Sequence, residues 1–192
     1  GFGGRSKRGN VSDFSRFPGY AKLKAGAHQG KDVESASVYV TPECQCAVRY
    51  DPAKREALLE LDLFAAALDQ TGLRSAFADT FVTAASPGIV STTLLRSATH
   101  PVYATDRDYV LALANELRGE YELIVARGHV LQLDAPDLAL ERQVMFAGQP
   151  LDAFLERVAL HVEAINLALA NIPRERVRLH MCWGNWDGPH ID

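Results

Sequence analysis

His180-Met181-Cys182 is the segment of this chain best suited to chemistry. Side chains two apart on a strand share a face, so an imidazole and a thiol there would stand side by side, with about 6–7 Å between their Cα atoms. Imidazole nitrogen and thiolate sulfur are both natural zinc ligands in tetrahedral sites. Two donors do not complete such a site, and a buried cysteine beside a hydrogen-bonded histidine is the plain alternative for an isolated H-x-C. Two further polar residues sit at the ends of apolar runs. Asp134 closes HVLQLD before Ala135-Pro136, where an acid also serves as a turn residue or N-cap. Ser86 follows a run from Phe77 to Ala85 and precedes Pro87-Gly88.

These residues need elements to hold them. Residues 36–50 carry two short β-prone runs interrupted by Thr41-Pro42, where the missing amide predicts a bulge, an edge or a loop. Asp51 reads as an N-cap with Pro52 at the first helical position, followed by a broad apolar face through Leu58, Leu61 and Leu68 and a stop at Gly72. A second helix is expected from Asp106 or a neighbour, through Tyr109, Val110, Leu113, Leu117, Tyr121, Ile124 and Val125, to Gly128. A third runs from near Leu151 to Ala170. Strands are expected within 77–88, where the strand runs into a turn, and at 129–134 and 176–182.

Short apolar strands alternating with helical crossovers predict a parallel sheet covered by helices. A doubly wound sheet and a (β/α)8 TIM barrel share this pattern. No G-x-G-x-x-G follows a strand, and the polar residues gather at strand ends, where barrels keep their chemistry. The expected fold is therefore α/β, a (β/α)8 barrel. A whole barrel needs about 250 residues, so the 192 residues are expected to hold one incomplete at both ends. Residues 36–192 would be its central part. Residues 1–35, rich in Gly, Lys and Ser around Phe14, Phe17 and Tyr20, read as a loop or a lid.

Composition narrows the class. The apolar share of 47% and charged share of 23% are those of a globular protein. A net charge of −4 provides no general basic field for nucleic acid. The longest apolar stretches are too short to span a bilayer. No secretory leader is visible, and three cysteines (Cys44, Cys46, Cys182) argue against a disulfide framework, so a cytoplasmic location is expected. Cys44 and Cys46 read as core cysteines, although C-x-C on a strand could join a metal site.

Three segments carry a resemblance. RVRLHMCWGNWDGPH resembles the metal-site strand and loop of the cobalamin-independent methionine synthases, and looks closest to their short single-domain relatives. HVLQLDAPDLA resembles that family's strand of the form I-Q-I-D-E-P-A-L, and Ala85-Ser86-Pro87-Gly88 its T-x-P-S-P turn. The helix bearing Asn115-Glu116-Leu117-Arg118-Gly119-Glu120-Tyr121 resembles the family's A-x-x-L-R-x-E-Y helix. Arg5, Arg8 and the FPGY cluster offer a softer match near the start.

The resemblance implies a barrel enzyme with His180 and Cys182 as two zinc ligands. Two more ligands, a glutamate and a cysteine, and the catalytic histidine are expected beyond Asp192. It implies that Asp134 holds the ammonium group of the amino-acid substrate, with a polar contact from Ser86. Glu120 is either a helper that orients the site or, by its position, a solvated helix carboxylate. Trp183, Trp186 and His190 either line the pocket or pack. The implied partners are a small-molecule thiol and a methyl donor, with methyl passing from methyl-tetrahydrofolate to homocysteine thiolate. Ala135 stands where the family has an acid, which keeps open a different thiol or alkyl donor, as in the epoxyalkane:coenzyme M transferases. A third reading is a non-catalytic barrel fragment that self-associates through open sheet edges.

Overall fold

The computed structural model describes residues 2–7, 17–20, 22 and 40–182. Its strands are β1 (Phe2–Lys7), β2 (Val40–Cys44), β3 (Phe81–Ala85), β4 (Leu95–Arg96), β5 (Val130–Asp134) and β6 (Val177–His180). Its helices are α1 (Arg55–Thr71), α2 (Pro87–Thr93), α3 (Asp106–Ala126) and α4 (Leu151–Ala168).

The chain is α/β, but the expected eight-stranded barrel is not there among the described residues. The strands form two three-stranded sheets, ordered β1-β2-β4 and β3-β5-β6. In a barrel β4 would lie between β3 and β5. Here β3 pairs directly with β5, in parallel from Phe81↔Val130 to Ala85↔Asp134, while β4 pairs with β2. With only two residues, β4 is too short to take a place between them. Strand–helix alternation in the sequence is common to all α/β architectures and does not say which strands become neighbours.

Phe2–Lys7 is also a strand rather than loop, antiparallel to β2. Pro42 lies inside β2 rather than between two runs, and the pairing slips there: Gly3 faces Glu43, but Arg5 faces Pro42. A proline in a ladder is tolerated at such a bulge.

Helix boundaries follow local chemistry. α1 begins at Arg55, later than Asp51-Pro52 suggested, after Lys54 at φ 50°. Asp51 still caps it, accepting from the amides of Ala53 (3.1 Å) and Arg55 (3.2 Å). Gly72, at φ 64°, ends it as expected. Thr105 and Asp108 form a capping box at the start of α3.

The main core lies between α3, α4 and one face of the β3-β5-β6 sheet. Leu131, Leu133, Val110, Ala114, Tyr121, Ala164 and Ala168 are wholly buried there. Truncating a leucine such as Leu131 to alanine in such a site costs roughly 2–5 kcal/mol. The two buried tyrosines of α3 also tie down strand ends. The Tyr121 hydroxyl donates to Ala85 O at 2.6 Å, and the Tyr109 hydroxyl to Leu94 O at 2.7 Å. Cys44, Val48, Tyr109 and Leu113 make a smaller core under the other sheet. Cys44 is thus a core cysteine as read from the sequence, whereas Cys46 is exposed.

Glu120 on α3 is largely buried against Tyr50 rather than solvated. Burial pushes its carboxyl above the usual carboxylate range; Glu60 adds to this, and a hydrogen bond with Tyr50 opposes it. Such a group weakens the fold once ionised. The cost is absent below the unfolded carboxyl value of about 4.3 and is complete above the raised folded value. Glu120→Gln is therefore expected to raise the thermal midpoint at pH 8 by about 2 °C and to leave it unchanged near pH 4, as measured by calorimetry.

Candidate functional site

The carboxyl ends of β3, β5 and β6 converge, because the three strands are parallel and in register. Ala85 faces Asp134, and Asp134 faces His180. The backbone continues this stitching past the strands. Ser86 N donates to Asp134 O (3.0 Å), and Ala135 N donates to His180 O (2.9 Å).

Asp134 and His180 come together at this edge. His180 Nε2 lies 3.8 Å from Asp134 Oδ1, with the two side chains 49% and 44% exposed. That distance is too long for a direct hydrogen bond. Both groups remain open to a ligand. Cys182 lies two residues past the end of β6 and is partly exposed. Met181 lies between the two candidate ligands and does not pack into the core. It is 60% exposed, because no described element covers that side of the β6 edge.

In kind, imidazole nitrogen and thiol sulfur fit zinc, and the nearby carboxylate suits an orienting partner for the imidazole. In number they fall short. Among the described residues no three His, Cys, Asp or Glu side chains gather closely enough to hold a metal. Cys44 and Cys46 do not add to such a group. Trp183, Trp186 and His190 lie outside the described residues.

Ser86 occupies a different environment from the one expected. It is fully buried, and its hydroxyl is used twice. It accepts from Ile89 N at 3.1 Å, capping α2, and donates to Asp137 Oδ1 at 2.8 Å. The hydroxyl faces the interior and not the exposed edge where Asp134 and His180 meet. Ala135 is equally buried. A carboxylate at that position would enter the core, so the departure from an acid follows from this packing.

Asp137 and His161 are the residues that sequence reasoning missed. Asp137, 1% exposed, accepts from Ser86 and lies 2.7 Å from Nδ1 of His161, which is 0% exposed on α4. One carboxylate thereby joins the segment after β3, the segment after β5 and α4. His161 Nε2 has no hydrogen-bond partner among the described residues. The available signal was an imidazole on the apolar stripe of a helix, in step with Phe154, Ala164, Ile165 and Ala168. Gly88 makes room for the pair. A Cβ there would stand 2.0 Å from Asp137 Oδ2 and 2.6 Å from His161 Nδ1.

Neither a family model, nor a curated protein, nor a solved structure is similar to this chain. The functional reading rests on the residues themselves.

Gly88→Ala should break the Ser86–Asp137–His161 contacts at a cost of about 2–3 kcal/mol. The thermal midpoint should fall by at least about 5 °C. An unchanged melting curve would show that the crowding at Gly88 is relieved cheaply.

Proposed function

We propose that this chain serves a zinc-dependent transfer of a methyl group to a small thiol, of the cobalamin-independent methionine synthase type, in the cytoplasm. The observation that carries the reading is the Asp134–His180 contact at the carboxyl end of three parallel strands, with Cys182 two residues further on. The methyl donor is methyl-tetrahydrofolate or a related compound, and the acceptor is homocysteine.

His180 and Cys182 would hold the metal. Zinc, when bound, acts as a Lewis acid that keeps a coordinated thiol deprotonated near neutral pH. Asp134 has two oxygens to offer. In this reading Oδ1, 3.8 Å from His180 Nε2, would orient the ring and the other oxygen would take the ammonium group of the amino acid. An oriented thiolate then attacks the methyl carbon, the sulfur–carbon bond forming as the nitrogen–carbon bond of the donor breaks and the released nitrogen takes a proton from solvent. The buried Ser86–Asp137–His161 contacts hold the surrounding backbone and take no part in the transfer. No described helix is long and apolar enough to cross a membrane, which agrees with small-molecule substrates in aqueous solution.

The test is direct. The full protein, supplied with homocysteine and methyl-tetrahydrofolate, should produce methionine. His180→Ala and Cys182→Ser should lose bound zinc by atomic absorption. Asp134→Asn should keep the metal and lose turnover by about a hundredfold. Full zinc occupancy in both ligand variants rejects the assignment. Alkylation of a different thiol, without methionine, rejects homocysteine as the acceptor.

A further inference from the structure

Among the described residues, helices cover the β3-β5-β6 sheet on one face only. Val82, Ala84, Leu131, Leu133 and Val177 pack beneath helices, while Phe81, Thr83, Gln132, Asp134, Arg178 and His180 alternate onto the other face. Parallel sheets are ordinarily buried on both sides. On this open face Thr83, Gln132 and Arg178 form one transverse row, because Thr83 pairs with Gln132 and Gln132 with Arg178.

The row is hydrogen-bonded in one direction. Arg178 Nε donates to Gln132 Oε1 at 2.7 Å, and Gln132 Nε2 donates to Thr83 Oγ1 at 3.1 Å. The guanidinium also lies over Phe81, with its central carbon 3.5 Å from the ring centroid. Stacking and the Nε bond fix the plane of the group without using its two terminal amino groups. Neither of these has a partner among the described residues. Eight other arginines pair with an acid, whereas Arg178, like Arg118 and Arg142, bonds neutral groups, and of these three it alone is stacked on an aromatic ring.

We propose that Arg178 is a preorganised anion-binding fork, and that its ligand is the carboxylate of a small molecule lying on this open face. Guanidinium and carboxylate are both planar and match through two parallel N–H···O bonds. The side-chain freedom that such binding would cost is already lost to the stack and to Gln132. A single planar guanidinium beside neutral Gln132 and Thr83 suits the planar carboxylate group better than a tetrahedral phosphate. The row lies one pleat, about 6–7 Å by strand rise, from the row of Ala85, Asp134 and His180. A bound acid would thus sit beside that edge without occupying it. The inference does not depend on zinc or on methyl transfer.

Glutarate and inorganic phosphate are the probes, titrated into the full chain while the Nε–H resonance of Arg178 is followed by NMR. Glutarate should shift that resonance with a dissociation constant on the order of 1 mM. Arg178→Lys keeps the charge but loses the fork and the stack, and should bind glutarate about ten-fold more weakly. Arg178→Gln should abolish binding with the fold and any zinc content unchanged. Arg178 is exposed on an edge strand, and circular dichroism checks that both variants fold. Equal glutarate affinity in wild type and Arg178→Gln, or no binding by wild type, overturns the proposal. Phosphate binding ten-fold tighter than glutarate overturns the choice of a carboxylate.

Discussion

A carboxylate with almost no access to water joins three segments of this protein. Asp137 takes a proton donor from the residue capping α2 and faces an imidazole in the middle of α4. A buried acid is tolerated only when its lone pairs are occupied, and losing either partner would leave a polar group stranded in the core. The demand is strict enough to exclude even one methyl carbon at residue 88. The position of the exposed edge follows from this interior contact. Asp134 lies three residues before Asp137, and Ser86 one residue after Ala85, so the ends of β3 and β5 have little freedom to separate.

The second constraint is the unequal treatment of the two faces of the β3-β5-β6 sheet. One face supplies the core together with α3 and α4. The other presents a cationic row built on Arg178 and an acid–imidazole row built on Asp134 and His180. Period-two alternation alone sorts the residues this way, apolar to one side and polar to the other. Polar side chains are ordered on the open face by hydrogen bonding and stacking instead of by burial.

Much of the local structure could be read from the residues. Gly72 and the Thr105 region mark helix ends through backbone conformation and capping, which are local. The three strands carrying Ser86, Asp134 and His180 at or beside their ends were also legible, but the contact between Asp134 and His180 came only from the pairing of β5 with β6. Strand pairing was not. Whether β4 joins β2 or lies between β3 and β5 depends on contacts far apart in sequence, and alternation carries no information about them. The burial of Ser86 was hidden for a related reason. A serine before Pro-Gly reads equally well as a ligand contact or as a cap, and only Asp137 across the fold decides. His161 was overlooked because a helical periodicity treats an imidazole in an apolar stripe as an interruption rather than as a partner.

The two backbone hydrogen bonds beyond the strand ends, from Ser86 N to Asp134 O and from Ala135 N to His180 O, carry a kinetic consequence. They hold the main chain at Asp134 and His180 while leaving both side chains in solvent. Accommodation of a guest at this edge therefore proceeds by rotamer hops, which take picoseconds to nanoseconds for exposed groups. Entry and departure are governed by diffusion and contact strength, with no slow rearrangement of the strands in the way.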